Sequence, residues 1–110
     1  MTMKTLAFTG AAATLLPDGQ TIHSGLAVNA RDEHAKLTPT QLAQLQSEYG
    51  DEVVGVIVDE MSMVHASLFA TIAKHLRAAT SHRPDHDPED MWGGLAVIFT
   101  GDFRQVCHAS

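Results

Sequence analysis

Three places in this chain combine residue types and spacings that could do chemistry. The first is Asp59-Glu60, two carboxylates delivered by the apolar run Val53 to Val58. Such a pair suits magnesium-dependent nucleotide hydrolysis, with Asp59 holding Mg²⁺, usually through water, and Glu60 orienting and deprotonating the attacking water. A strand that merely ends in a solvated acidic turn has the same appearance, and the pair alone leaves both readings open. The second place is Gly101-Asp102-Phe103-Arg104-Gln105, behind another apolar run, Leu95 to Thr100. If the two runs are neighbouring strands, the Gln105 amide reaches the same cleft and can sense a terminal phosphate. The third is the loop bearing His82, Asp85, His86 and Asp87, which has metal-ligand residue types but loose spacing and no cysteine. It reads better as a solvated surface loop.

The remaining reactive side chains have plainer readings. His65 and His75 are expected on the polar side of their helix. Met61 and Met63 are expected to pack beneath the acidic turn, because thioethers are soft donors unsuited to Mg²⁺. Cys107 has no evident base or partner and reads as a free thiol. As the single cysteine it cannot form an internal disulfide, which points to a reducing compartment and excludes a stapled secreted mini-protein.

Elements that could position these groups follow from the patterning. Leu6 to Phe8 is a short apolar run closed by Thr9-Gly10, and the Ala-rich stretch Ala11 to Leu16 favours helix until Pro17, Asp18 and Gly19 stop it. Thr21 to Lys36 is mixed and aperiodic, a connection whose length hints at a role beyond joining elements. At Thr38 a helix begins with an N-cap, Pro39 in its first position and Gln41 as the reciprocal capping residue. Leu42, Leu45 and Tyr49 share one of its faces before Gly50 ends it.

Val53 to Val58 is continuous rather than alternating, as a strand covered on both faces requires. Val64, Leu68, Ile72, Leu76 and Ala79 then recur at helical spacing for about four turns. Arg83 to Asp90 breaks that pattern, and the turn at Gly93-Gly94 leads into Leu95 to Thr100. Strand, helix and strand alternate, so the expected fold is a three-stranded parallel α/β sheet with crossover helices. Ligands of open α/β sheets bind beyond the carboxyl ends of the strands, which here are Thr9-Gly10, Asp59-Glu60 and Gly101-Asp102.

Composition bounds the alternatives. With 110 residues and 45% hydrophobic content the chain has the makings of one folded domain, burying roughly two-thirds of its unfolded surface. Seven Lys plus Arg against 13 Asp plus Glu give a formal charge of −6, so contact with nucleic acid has to be local rather than a broad electrostatic grip. No apolar run of about 18 residues offers a membrane span, and no membrane partner is expected. Met1 to Leu16 has the outline of a signal peptide ending near Ala13. Thr5, Thr9 and Gly10 interrupt it, and a strand, turn and short helix fits these residues better. An exported metal-binding domain would need cleavage after Ala13 and zinc on the His82 to His86 loop.

Three segments together resemble the PIF-type (petite integration frequency) DNA helicases, superfamily-one motors with RecA-like domains. Thr9-Gly10-Ala11-Ala12-Ala13-Thr14-Leu15-Leu16, continuing to Gly19-Gln20-Thr21-Ile22-His23-Ser24, is similar to the family's motif Ia region along the single-strand channel. Val56-Ile57-Val58-Asp59-Glu60-Met61-Ser62-Met63-Val64 resembles its Walker B motif. Trp92-Gly93-Gly94-Leu95 through Gly101-Asp102-Phe103-Arg104-Gln105 resembles its motif III, with Trp92 where an aromatic commonly sits. Order and spacing agree from about Leu6 to Gln105.

This resemblance implies a partial RecA-like fold and ATP-driven 5′ to 3′ unwinding of DNA, with roles in repair, recombination and telomere maintenance. It implies ATP as substrate, Mg²⁺ as cofactor and single-stranded DNA as partner, and for a eukaryotic member a nuclear or mitochondrial location. Carried over by position, Asp59 ligates Mg²⁺, Glu60 is the general base and Gln105 couples the γ-phosphate to DNA. Thr9, Gly10, His23 and Ser24 are the DNA-binding candidates, using hydroxyl, backbone N–H and imidazole rather than many cations. Apart from the match, His23 would read as a capping or core residue.

Two departures matter. No Gly-x-x-x-x-Gly-Lys-Ser/Thr occurs, so the P-loop and its lysine are absent from these residues, as are the second RecA-like domain and its arginine finger. After Gln105, Val106 to Ser110 leaves the family pattern. The expectation is a fragment running from motif Ia to motif III, truncated at both ends and inactive alone. Leu95 to Thr100 would then be an exposed apolar edge and solubility poor. The alternative is a catalytically dead helicase relic that binds single-stranded DNA weakly.

Overall fold

A computed structural model of the chain describes residues 2–14, 19–29, 31–32, 34–59 and 65–100. Its elements, in order, are β1 (Thr2–Ala7), α1 (Gly10–Ala13), β2 (Gln20–Thr21), α2 (Ile22–Gly25), α3 (Pro39–Glu48), β3 (Val53–Asp59), α4 (Ala66–Thr80) and β4 (Ala96–Phe99). Four strands form one all-parallel sheet in the order β2-β1-β3-β4.

The expected parallel α/β sheet is present, with one strand more than the three expected. Gln20 and Thr21 pair with Leu6 and Ala7, inserting a two-residue strand where the sequence reading placed only turn and connection. Two residues are too few to show a period of any kind. Thr21 also caps α2, its Oγ1 accepting from the Ser24 N–H at 3.0 Å, so the segment read as aperiodic starts with a strand and a helical turn.

At α3 the structure follows the local chemistry closely. Thr38 accepts from the Gln41 N–H at 3.1 Å while the Gln41 side chain accepts from the Thr38 N–H at 3.0 Å. This reciprocal capping box, with Pro39 behind it, starts the helix where its sequence demands. Leu45 and Tyr49 are buried against the sheet.

β3 corrects the expectation of a strand covered on both faces. Val53, Val56 and Val58 are buried, but Val54 is 38% exposed and Ile57 half-buried. The β-branched run reports strand propensity here rather than two-sided burial, and Val54 is left out of the packing where the register with β1 slips, Thr2 standing opposite Val53 and Met3 opposite Gly55. Gly55 interrupts that run for a steric reason. A Cβ there would stand 2.5 Å from the Ala96 carbonyl oxygen and 2.8 Å from Met3 Sδ.

α4 buries Leu68, Ile72, Leu76 and Ala79, the predicted stripe, in a core shared with Leu6, Ile22, Leu26, Val56 and Val58. Val64, which opened that stripe, lies outside the described residues. His75 is the clear exception to the reading of this helix. It is 3% exposed rather than on the polar side, and its Nδ1 donates to the Leu26 carbonyl oxygen at 2.7 Å. The burial is tolerated because that hydrogen bond satisfies the ring nitrogen.

Beyond α4, Arg83 closes the structure over the start of β3. Its guanidinium donates to the carbonyls of Val53 (2.7 Å) and Gly50 (3.2 Å) and forms a two-pronged pair with Asp85 at 2.7 and 2.8 Å. Gly93 and Gly94, both left-handed with φ of 69° and 101°, then turn the chain into β4. Among the described strands β4 is an edge, and Ile98 on it is 50% exposed.

Candidate nucleotide and nucleic-acid edge

Because all four strands are parallel, their carboxyl ends lie along one edge of the sheet. Register fixes who stands beside whom. Asp59 is opposite Ala7 on β1, and Ala7 is opposite Thr21 on β2. On the other side β4 pairs with β3 up to Phe99, opposite Val58. The residues that follow these positions, Phe8-Thr9-Gly10, Ile22-His23-Ser24 and Thr100, therefore crowd the same edge as Asp59.

Asp59 is half-buried, and its orientation is set from β4. Thr100 Oγ1 donates to Asp59 Oδ1 at 2.7 Å, while the Thr100 N–H continues the ladder to the Val58 carbonyl at 2.8 Å. Thr100 was not singled out from sequence. Its signal was available only as the last residue of an apolar run whose neighbour was unknown. A carboxylate at a strand tip, its rotamer held by a hydroxyl, matches the oxygen-donor preference of Mg²⁺, which takes one or two carboxylates and retains water. Behind Thr100, Phe69 of α4 stacks on Phe99 with ring centroids 5.4 Å apart. Trp92 packs edge-on to Phe69 at 5.1 Å, wedged between α4 and β4.

The β1 and β2 tips hold the other candidates. Gly10 begins α1 with its backbone exposed, and a Cβ built there would meet nothing within 4 Å. Thr9 is half-buried, and its carbonyl accepts from the Ala13 N–H. His23 is half-buried, with its ring edge-on to Phe8 at 6.1 Å, and Ser24 beside it is exposed. The structure thus brings Thr9, Gly10, His23 and Ser24 together on one half of the edge and Asp59 on the adjoining strand. Glu60 and Gln105, the proposed base and phosphate sensor, lie outside the described residues, as do Met61, Met63 and Cys107.

α2 ends unusually. Ala27 is left-handed with φ 54°, the only described non-glycine residue so placed, and the Val28 N–H donates to the His23 carbonyl across it at 3.0 Å. This is the geometry of a Schellman-type helix end, where glycine is usual. Its neighbouring carbonyl, that of Leu26, is the one His75 binds.

In the 82–90 loop the acids are committed to local structure. Asp90 Oδ2 accepts from the N–H groups of Trp92 and Gly94, Asp87 caps Glu89, and His86 Nδ1 lies 3.1 Å from Thr80 Oγ1. Among the described residues no group of three His, Cys, Asp or Glu side chains is arranged to hold a metal. No described helix is long and apolar enough to cross a membrane.

Comparison with known proteins agrees with this geometry. The family profile of PIF1-like helicases matches residues 1–109. The ATP-dependent DNA helicase Pif1 of Bdellovibrio bacteriovorus is 38% identical over 112 aligned positions, covering 94% of this chain and 23% of that protein. Unliganded Pif1 from a Bacteroides species superposes with a TM-score of 0.62 at 25% identity, over 94% of this chain and 22% of that one. The Bacteroides Pif1 helicase in complex with ADP-AlF3 and single-stranded DNA gives 0.61 at 27% identity, over 91% and 22%. The chain therefore spans less than a quarter of the length of these relatives. With the parallel sheet, the strand-tip acid and nearly every residue of the chain matched by one profile, this protein belongs to the PIF1-like helicase family.

Proposed function

We propose that these residues form the motif Ia to motif III portion of the first RecA-like domain of an ATP-dependent 5′ to 3′ DNA helicase, acting in repair, recombination and telomere maintenance. The reading is supported most by Asp59, a carboxylate at a parallel-strand tip whose rotamer Thr100 holds, in a chain matched throughout by the helicase family. Asp59 holds Mg²⁺ through water, Glu60 accepts the proton of the attacking water, and Gln105 reports the γ-phosphate to the DNA side. Bound Mg²⁺ supplies charge neutralisation of the β- and γ-phosphate oxygens. Thr9, Gly10, His23 and Ser24 contact the strand by hydroxyl, backbone N–H and imidazole, in keeping with a formal charge of −6. ADP-AlF3 and single-stranded DNA on the Bacteroides relative are consistent with this pair of ligands.

The 110 residues contain no P-loop sequence. We therefore expect them alone to bind single-stranded DNA weakly and to hydrolyse no ATP. The test measures both properties on the chain. DNA-stimulated ATP turnover abolished by Glu60→Gln would overturn the expectation of inactivity. Single-stranded DNA binding indifferent to Thr9→Ala and His23→Ala would overturn the assignment of the β1–β2 tips.

A further inference from the structure

Away from the strand tips, α4 and the segment 34–37 line two open clefts, of about 280 and 150 Å³, which share Lys74 and His75. Lys36, Leu37 and Leu42 complete the larger, and His34 stands at the smaller. The grouping is notable in a chain with seven Lys plus Arg and a formal charge of −6, because none of the described lining residues is acidic. Lys36 and Lys74 are exposed, and neither makes an ion pair among the described residues.

His75 gives the cleft a fixed inner wall. A carbonyl oxygen can only accept, so the contact to Leu26 places a hydrogen on Nδ1 and leaves Nε2 as the nitrogen available to a ligand. Nε2 makes no hydrogen bond among the described residues. It is a hydrogen-bonding atom of a kind that pairs with the oxygens of a phosphate. Two ammonium groups and an imidazole supply three hydrogen-bonding groups, one for each of the three oxygens of a phosphoryl group. Leu37 and Leu42 offer an apolar surface beside them. A cleft of 280 Å³ sits at the low end of small-molecule sites, roughly 300 to 1,000 Å³, with room for one compact ring rather than a run of bases.

We propose that this cleft binds a small organic phosphate, its phosphoryl group held by Lys36 and Lys74 in front of His75 and its apolar body lying on Leu37 and Leu42. The site does not depend on the helicase reading. Isothermal titration of the whole chain with phenyl phosphate tests it, with inorganic phosphate and an oligothymidylate lacking terminal phosphates as the other arms. Saturable binding of phenyl phosphate is expected, tighter than that of inorganic phosphate. Lys36→Gln and Lys74→Gln should each weaken it about tenfold, the cost of one charge-assisted hydrogen bond, whereas Arg31→Gln, outside the lining, should not. Both lysines are exposed, so the variants should retain the parent's thermal midpoint. Absence of saturation, equal weakening by Arg31→Gln, or displacement of phenyl phosphate by the oligothymidylate would overturn the proposal.

Discussion

On the β3–β4 side of the sheet's carboxyl edge stand a carboxylate and the hydroxyl that orients it, Asp59 and Thr100. On the β1–β2 side stand an open glycine, two hydroxyl residues and an imidazole, with no formal charge among them. Both halves hang from the same four strands, yet they differ in what holds them. Asp59 is tied across strands by a side-chain bond. The α2 turn carrying His23 is held by its own cap at Thr21, by a left-handed Ala27 and, from behind, by His75. One half carries a carboxylate whose rotamer a neighbouring strand holds, and the other presents only uncharged side chains and an open backbone. Under the proposed function this division confines repulsion of phosphates by the acid to the strand tip, where a cation would neutralise it.

The comparison can be broken or sharpened experimentally. The largest effect expected is on turnover. In a full-length helicase carrying this segment, Glu60→Gln should lower ATP hydrolysis by about 10²- to 10⁴-fold while leaving single-stranded DNA affinity unchanged, as steady-state kinetics and fluorescence anisotropy would report. Parallel loss of both activities would merge the two halves into one site.

Next in size is Arg83→Met, which leaves the Val53 and Gly50 carbonyls without their donor and should cost about 2–3 kcal/mol in denaturant unfolding. Hydrogen exchange should show β3 loosening before β1. The same latch is pH-sensitive. The Arg83 guanidinium, through its hydrogen bond, holds the Asp85 carboxyl below its ordinary value. Its contribution is therefore present above the usual carboxylate range and lost as pH falls through Asp85's lowered value, a decline that Asp85→Asn should flatten.

Thr100→Val should cost about 1 kcal/mol of stability by removing the bond to Asp59, and should affect nucleotide-dependent steps without changing DNA affinity. His23→Ala should do the converse, weakening single-stranded DNA binding about fivefold at constant stability, in line with one modest hydrogen bond or ring contact. Smallest is Ala27→Gly. Relieving a left-handed alanine should stabilise the chain by up to about 1 kcal/mol, read as a rise in thermal midpoint, and mark the α2 turn as locally strained.

Much of this molecule could be read from local chemistry. The capping box at Thr38 and Gln41, the Leu68-Ile72-Leu76 stripe, the strand preceding Asp59 and the turn at Gly93-Gly94 each depend on interactions within a few residues, so their patterns survive in one dimension. The acid at a strand tip was legible for the same reason. What escaped depended on partners distant in sequence. β2 exists because Gln20 and Thr21 meet Leu6 and Ala7. His75 is buried because the Leu26 carbonyl, 49 positions away, receives its proton. Val54 stays exposed because it is the extra residue where the β1–β3 register slips between Thr2 and Met3. Thr100 acquires a role because β4 lies beside β3. Sequence by itself determined the longer elements, the family and the candidate acid. Only the tertiary structure decided which residues stand beside one another at the sheet's edge, because strand order and helix burial are set by long-range pairing that no local period encodes.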